Sequence, residues 1–181
     1  MTETAAINSL IDTAILMPVF ALICWTTVIF FWLFALRMPA MGKAQLDPQN
    51  VKHPAALKGL LPSNVEAVGD NYNHLMEQPT IFYALVAIFA IGGATQTDVW
   101  LAWAYVALRV VHSLWQAVVN TIPVRLSIFI LGTVVLVAMA GIGQAFTPNI
   151  DGPPPFSGLL IAAAAWGMAE FFTLRRRMAL P

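Results

Sequence analysis

The chain has 181 residues, 59% of them hydrophobic and only 10% charged, with a formal net charge of +0. Soluble domains carry about 25% charged residues, so this composition, with a mean hydropathy of +0.75, excludes a water-soluble domain and points to an integral membrane protein. The balanced charge and the lack of a basic tract exclude nucleic acid as a partner, and the single cysteine, Cys24, excludes a disulfide framework.

The N-terminal stretch MTETAAINSLID has no basic region, and the apolar run after it is too long for a cleaved signal peptide, so that run is expected to stay in the protein. Residues 13–36 form the first expected span: at 1.5 Å per residue the run crosses a hydrocarbon core of about 30 Å. Residues 37–64, with four prolines, read as a polar loop. A second span is expected at 76–96, entered through the polar cluster DNYNHLMEQP and stopped by Gly92 and Gly93. The third, at 99–120, follows so closely that the two form an antiparallel hairpin. A fourth span covers 126–147, and a fifth, at 156–174, follows a Pro/Gly-rich loop and ends in Arg175, Arg176 and Arg177.

Eight of the nine basic residues fall in or beside the first loop, the third loop and the C-terminus, and the ninth, Arg109, lies within the third span. By the positive-inside rule this predicts an outside N-terminus and a cytoplasmic C-terminus, with five spans. It also places the start of the second span and the end of the third at the same depth.

That depth holds the most informative stretch, RVVHSLWQAVVNTIPVR. Arg109, His112, Gln116 and Asn120 recur at spacings of three and four, which predicts one polar face on a single helix. Such a face cannot meet lipid and must look into a bundle, a water-filled cavity or a polar ligand. Arg109 lies well inside its span, where an unpaired cation is costly, and Glu77 is the carboxylate expected to pair with it. Arg125 reads either as a flanking charge that enforces topology or as a cation held for a ligand. His74 and His112 would permit a bis-histidine haem, but three histidines in all and no Cys/His cluster of metal spacing predict no metal site.

RVVHS followed by PVR resembles the third-to-fourth helix signature of the MAPEG family, the membrane-associated proteins in eicosanoid and glutathione metabolism. NYNHLMEQPTIFYAL is similar to the family's second-helix motif in the form typical of bacterial members. Together these motifs cover about residues 13–147. The resemblance implies an all-α fold: a four-helix MAPEG-like bundle, here with an additional C-terminal fifth transmembrane helix. It further implies a homotrimer in the bacterial inner membrane, with glutathione bound between protomers near the cytoplasmic face. Carried over by position, Arg125 would be the catalytic residue that holds the glutathione thiolate. Arg37, Asn73, Glu77, Arg109, His112 and Gln116 would be the binding residues, and the implied activity is a glutathione transferase or peroxidase acting on lipophilic electrophiles.

Three departures keep a second reading beside that one. The family's second-helix arginine has no counterpart in VEAVGDNYN, which carries Glu66 and Asp70 instead. Gln116 stands where a ligand-contacting tyrosine is often found, and the Asn-to-Glu interval is one residue longer than in the transferases. These changes, with the fifth helix, suit a non-catalytic scaffold or accessory subunit that meets a membrane-protein partner through that helix. A haem or quinone redox subunit is a third reading.

Overall fold

The computed structural model describes residues 13–47, 49–51 and 54–146, all-helical with short connections and without strands among those residues. Five helices follow in order: α1 (Leu16–Lys43), α2 (Ser63–Glu77), α3 (Pro79–Gly92), α4 (Gln96–Val118) and α5 (Ile122–Phe146). A short 3₁₀ turn, Pro54–Leu57, precedes α2. Segment 156–174, expected as a fifth span, lies outside the described residues.

α1 does not stop at Arg37. It runs through Pro39 to Lys43 for 28 residues. Proline removes one backbone donor and crowds the preceding turn, yet a helix packed on neighbours tolerates that loss, and Lys43 in the last turn suits the negative end of the helix dipole. The polar loop expected from residue 37 therefore begins later.

The second passage also starts earlier than residue 76. Residues Ser63–Glu77 are helical, although their polar side chains lower the local hydropathy, because Val65, Val68, Asn71 and Leu75 share a buried face. Gln78 keeps helical angles, φ −65 and ψ −37, and Pro79 then interrupts the hydrogen-bond ladder without turning the chain away. Counted together, Ser63–Gly92 is 30 residues long and apolar enough to cross a membrane, as are Leu16–Lys43 and Ile122–Gly141.

Gly93 takes a left-handed φ of 95 and ends α3. A capping box then starts α4: the Thr95 hydroxyl accepts from the Asp98 backbone, and the Asp98 carboxylate accepts from the Thr95 amide at 2.8 Å. The turn into α5 is made by Asn120 at φ 53, with its amide donating to the Trp115 carbonyl at 2.7 Å. Pro123 sits in the first turn of α5, where it costs least.

α4 packs against α1, α2 and, most extensively, α5, while α3 rests on α1 and α5. Ile15 at the N-cap of α1 and Leu22, Ile29 and Leu33 within it point into the core, the first three a heptad apart, as in left-handed helix packing. They meet Val68 and Leu75 of α2 and Phe82 and Val86 of α3, with Phe82 stacked on Tyr105 at 4.6 Å between centroids. Outward, Phe20, Phe31, Ile91, Trp100 and Val118 are exposed. Buried polar groups inside and exposed apolar groups outside are the arrangement expected of a membrane bundle, because lipid does not drive apolar side chains inward.

Candidate functional site

The polar residues of α2 and α4 meet in antiparallel register. Asn71 donates from Nδ2 to the Ser113 hydroxyl at 2.7 Å. One turn on, the rings of His74 and His112 meet edge to face at 6.3 Å. At the α2–α3 junction the Gln78 carbonyl oxygen accepts from the Arg109 guanidinium. The pairs 71/113, 74/112 and 78/109 climb one helix as they descend the other. The two clusters that the sequence places at one depth are in contact.

Arg109 is 3% exposed and is surrounded by neutral groups. Its Nε donates to the Tyr105 hydroxyl at 3.0 Å, and its Cζ lies 5.7 Å from the Tyr105 ring and 5.5 Å from that of Phe129. Gln78 completes the shell and passes it on, since its Nε2 donates to Thr133 of α5 at 2.7 Å. The expected Arg109–Glu77 pair does not form. Glu77 is exposed on α2 and meets His74 Nδ1 at 3.2 Å instead, because consecutive residues on a helix point about 100° apart and only position 78 reaches α4.

The remaining expected residues divide by exposure. His112 and Gln116 are buried on α4, as the helical period requires. Asn120 leaves that face, because α4 ends at Val118 and the left-handed turn redirects it to accept from Arg125 Nη1 at 2.8 Å. Asn73 is exposed and makes no side-chain hydrogen bond among the described residues, while Asn71 occupies the interior. Arg37 is half-buried on α1, its Nη2 packed where a side chain at Gly69 would begin, 3.1 Å from that Cβ position.

Several polar atoms in this interior have no partner among the described residues: Asn71 Oδ1, both side-chain polar atoms of Gln116, and Arg37 Nε. His74, His112 and Arg125 line a cleft of about 220 Å³, whose other walls are Ile122, Leu126 and Phe129. Among the described residues no carboxylate lines it. Arginine carries five donor N–H groups, and the only side-chain acceptor that Arg125 engages among the described residues is Asn120. The cleft thus combines a fixed cation, two imidazoles and an apolar wall.

A family model matches residues 15–144, well over half of the chain and all five described helices apart from α5's last residues. The chain belongs to the MAPEG family. No curated protein and no solved structure matches it. MAPEG membership and three stretches long and apolar enough to cross a bilayer make this an integral membrane protein.

Sequence reasoning named Arg37, Asn73, Glu77, Arg109, His112, Gln116 and Arg125 but passed over Asn71, Gln78, Ser113 and Thr133. The first two were accessible in the pattern. Val68, Asn71, Leu75 and Gln78 recur at three and four, so one stripe carries both polar residues toward the bundle. Thr133 had no such signal, because it lies in an otherwise apolar run and becomes polar contact only where Gln78 crosses it.

Proposed function

We propose that this MAPEG protein binds glutathione and transfers it to, or uses it to reduce, a lipophilic electrophile. Arg125 holds the thiolate, and Arg37, Asn73, Glu77, Arg109, His112 and Gln116 form or support the pocket for the tripeptide. The observation that carries the reading is the cleft in which Arg125 faces apolar walls, with no competing carboxylate among the described residues that line it. A free thiol has a pKa of about 8.5 and is only a few per cent ionised at pH 7. A fixed cation lowers that value, and each tenfold gain in the thiolate-to-thiol ratio corresponds to about 1.4 kcal/mol of preference for the ionised form. Arginine suits this work because it stays charged, and Arg125, in the first turn of α5, has the positive end of the helix dipole behind it.

Tripeptide carboxylates and amides would supply partners for the unpaired atoms of Arg37, Asn71 and Gln116. The apolar co-substrate would arrive from the bilayer along Ile122, Leu126 and Phe129. In this proposal the working unit is a homotrimer, in which a neighbouring protomer closes the cleft and the exposed Asn73 and Glu77 turn toward it. The five-span topology, with the N-terminus outside and the C-terminus in the cytoplasm of a bacterial inner-membrane protein, rests on the distribution of basic residues.

Calorimetry on the purified protein in mild detergent tests this, with Arg125→Ala and a conjugation assay alongside. Glutathione binding that weakens about tenfold or more in the variant supports the reading, a loss of about 1.4 kcal/mol. Absence of binding by an intact protein refutes it. A non-catalytic scaffold is the second reading, favoured by two placements: Gln116 has no exposed surface, and Asn73 does not line the cleft. That reading predicts an intact oligomer that ignores glutathione and copurifies with another membrane protein.

A further inference from the structure

Glu77 is not the partner of the buried arginine, which leaves its engagement with His74 to be explained. His74 Nδ1 lies 3.2 Å from Glu77 Oε2, one turn along α2, and the same imidazole lines the Arg125 cleft. Glu77 accepts only from an N–H, so in the neutral ring this contact puts the proton on Nδ1 and leaves Nε2 as a lone-pair acceptor. Nε2 has no partner among the described residues. A carboxylate that fixes the tautomer of an imidazole beside a cation-lined cleft is the arrangement by which a weak nucleophile is activated.

We propose that His74 is the general base for the thiol, with Glu77 as its positioning residue. This rests on the glutathione reading above. The S–H bond breaks, its electron pair stays on sulfur beside Arg125, and the proton passes to His74 Nε2. The imidazolium so formed is balanced by Glu77. In an addition to an activated double bond the same proton goes to the carbon that takes up the displaced π pair; in a displacement it leaves to solvent with the departing anion. His112, the other imidazole of the cleft, does not take this role. It is buried, has no carboxylate beside it among the described residues, and stands one turn from Arg109.

The charged and titratable groups around His74 come from every packed element. Glu77 and the exposed Asp70 belong to its own helix, His112 and Arg109 to α4, Arg125 to α5, and Arg37 reaches α2 from α1 at Gly69. Arg125 fixes the thiolate and His74 disposes of the proton, so the two variants should fail differently.

The test uses the full chain in mild detergent, with wild type, His74→Gln and Glu77→Gln each checked for helicity and oligomeric state. Glutathione and S-methylglutathione, which cannot ionise at sulfur, are titrated calorimetrically at pH 7 in two buffers of different ionisation enthalpy. Wild type should bind glutathione with little proton release, while His74→Gln should release close to one proton per site or show no thiolate absorbance. Both should bind S-methylglutathione alike. In the conjugation assay, kcat of His74→Gln should fall on the order of 100-fold near neutral pH and recover as the pH rises past the thiol range, with Glu77→Gln shifted the same way by less. Wild-type proton counts and an unchanged pH profile in both variants overturn the assignment while leaving glutathione binding intact. Failure of wild type to bind either ligand overturns the glutathione reading and this base with it.

Discussion

Gln78 offers the most direct test of how this bundle tolerates a buried cation. Gln78→Ala removes the acceptor of the Arg109 guanidinium and the donor to Thr133 in one step. A hydrogen bond to a charged group contributes about 1.5–3 kcal/mol and a neutral one about 1 kcal/mol, so the expected loss is about 3 kcal/mol. Thr133 keeps its bond to the Phe129 carbonyl at 2.9 Å, and Arg109 keeps Tyr105 at 3.0 Å, which limits the damage. The assay is reversible unfolding in mild detergent of wild type, Gln78→Ala, Arg109→Met and the double variant. Methionine preserves much of the stem volume but carries no charge, so the Gln78 substitution should cost far less in its presence. The coupling should be about 1.5–3 kcal/mol. Additivity within about 0.5 kcal/mol would refute the argument, since independent sites add to within that range. The same cycle built on Glu77→Ala should be additive, because Glu77 contacts His74 and not Arg109.

Other expectations follow from single contacts. Asp98→Ala removes an acceptor for both the Thr95 amide and its hydroxyl, at 2.8 and 2.6 Å, and should cost about 1 kcal/mol, read as a lowered Tm. Asn120→Val should destabilise by about 1–2 kcal/mol because a β-branched residue resists φ 53; Asn120→Gly should keep the turn and lose only the bond to Arg125. Gly69→Ala should cost little, since the atom it meets at 3.1 Å is the far end of the Arg37 side chain, whereas Gly69→Val should displace that guanidinium and lower stability. Cys24, the lone cysteine and exposed on α1, should react with membrane-permeant maleimides and resist water-soluble ones; equal labelling by both would refute the span.

The sequence alone makes the bilayer the solvent and the fold all-helical. Uncharged runs of bilayer length can be read without coordinates, because in hydrocarbon only a helix satisfies its own backbone. It also determined that Arg109, His112 and Gln116 share an interior face, since a period near 3.6 is a local property of one helix. Hydropathy, however, misplaced the ends. It stopped α1 at Arg37 and began the second passage at residue 76, where the helices run to Lys43 and from Ser63. Polar side chains at a bundle's end are paired with one another there rather than exposed to lipid, so a rule that scores each residue against lipid mistakes them for loop.

Which polar groups meet is settled when the helices pack. Glu77 and Gln78 are adjacent in sequence, and charge favours Glu77 as the partner of Arg109. Direction along α2 gives the contact to Gln78 and sends Glu77 to His74. In the same way Asn71 enters the interior while Asn73, two residues on, does not. Pairings across helices depend on azimuth and register, which arise when α2 and α4 pack, and they turn a polar stripe into a cleft with a cation on one wall and an oriented imidazole on the other.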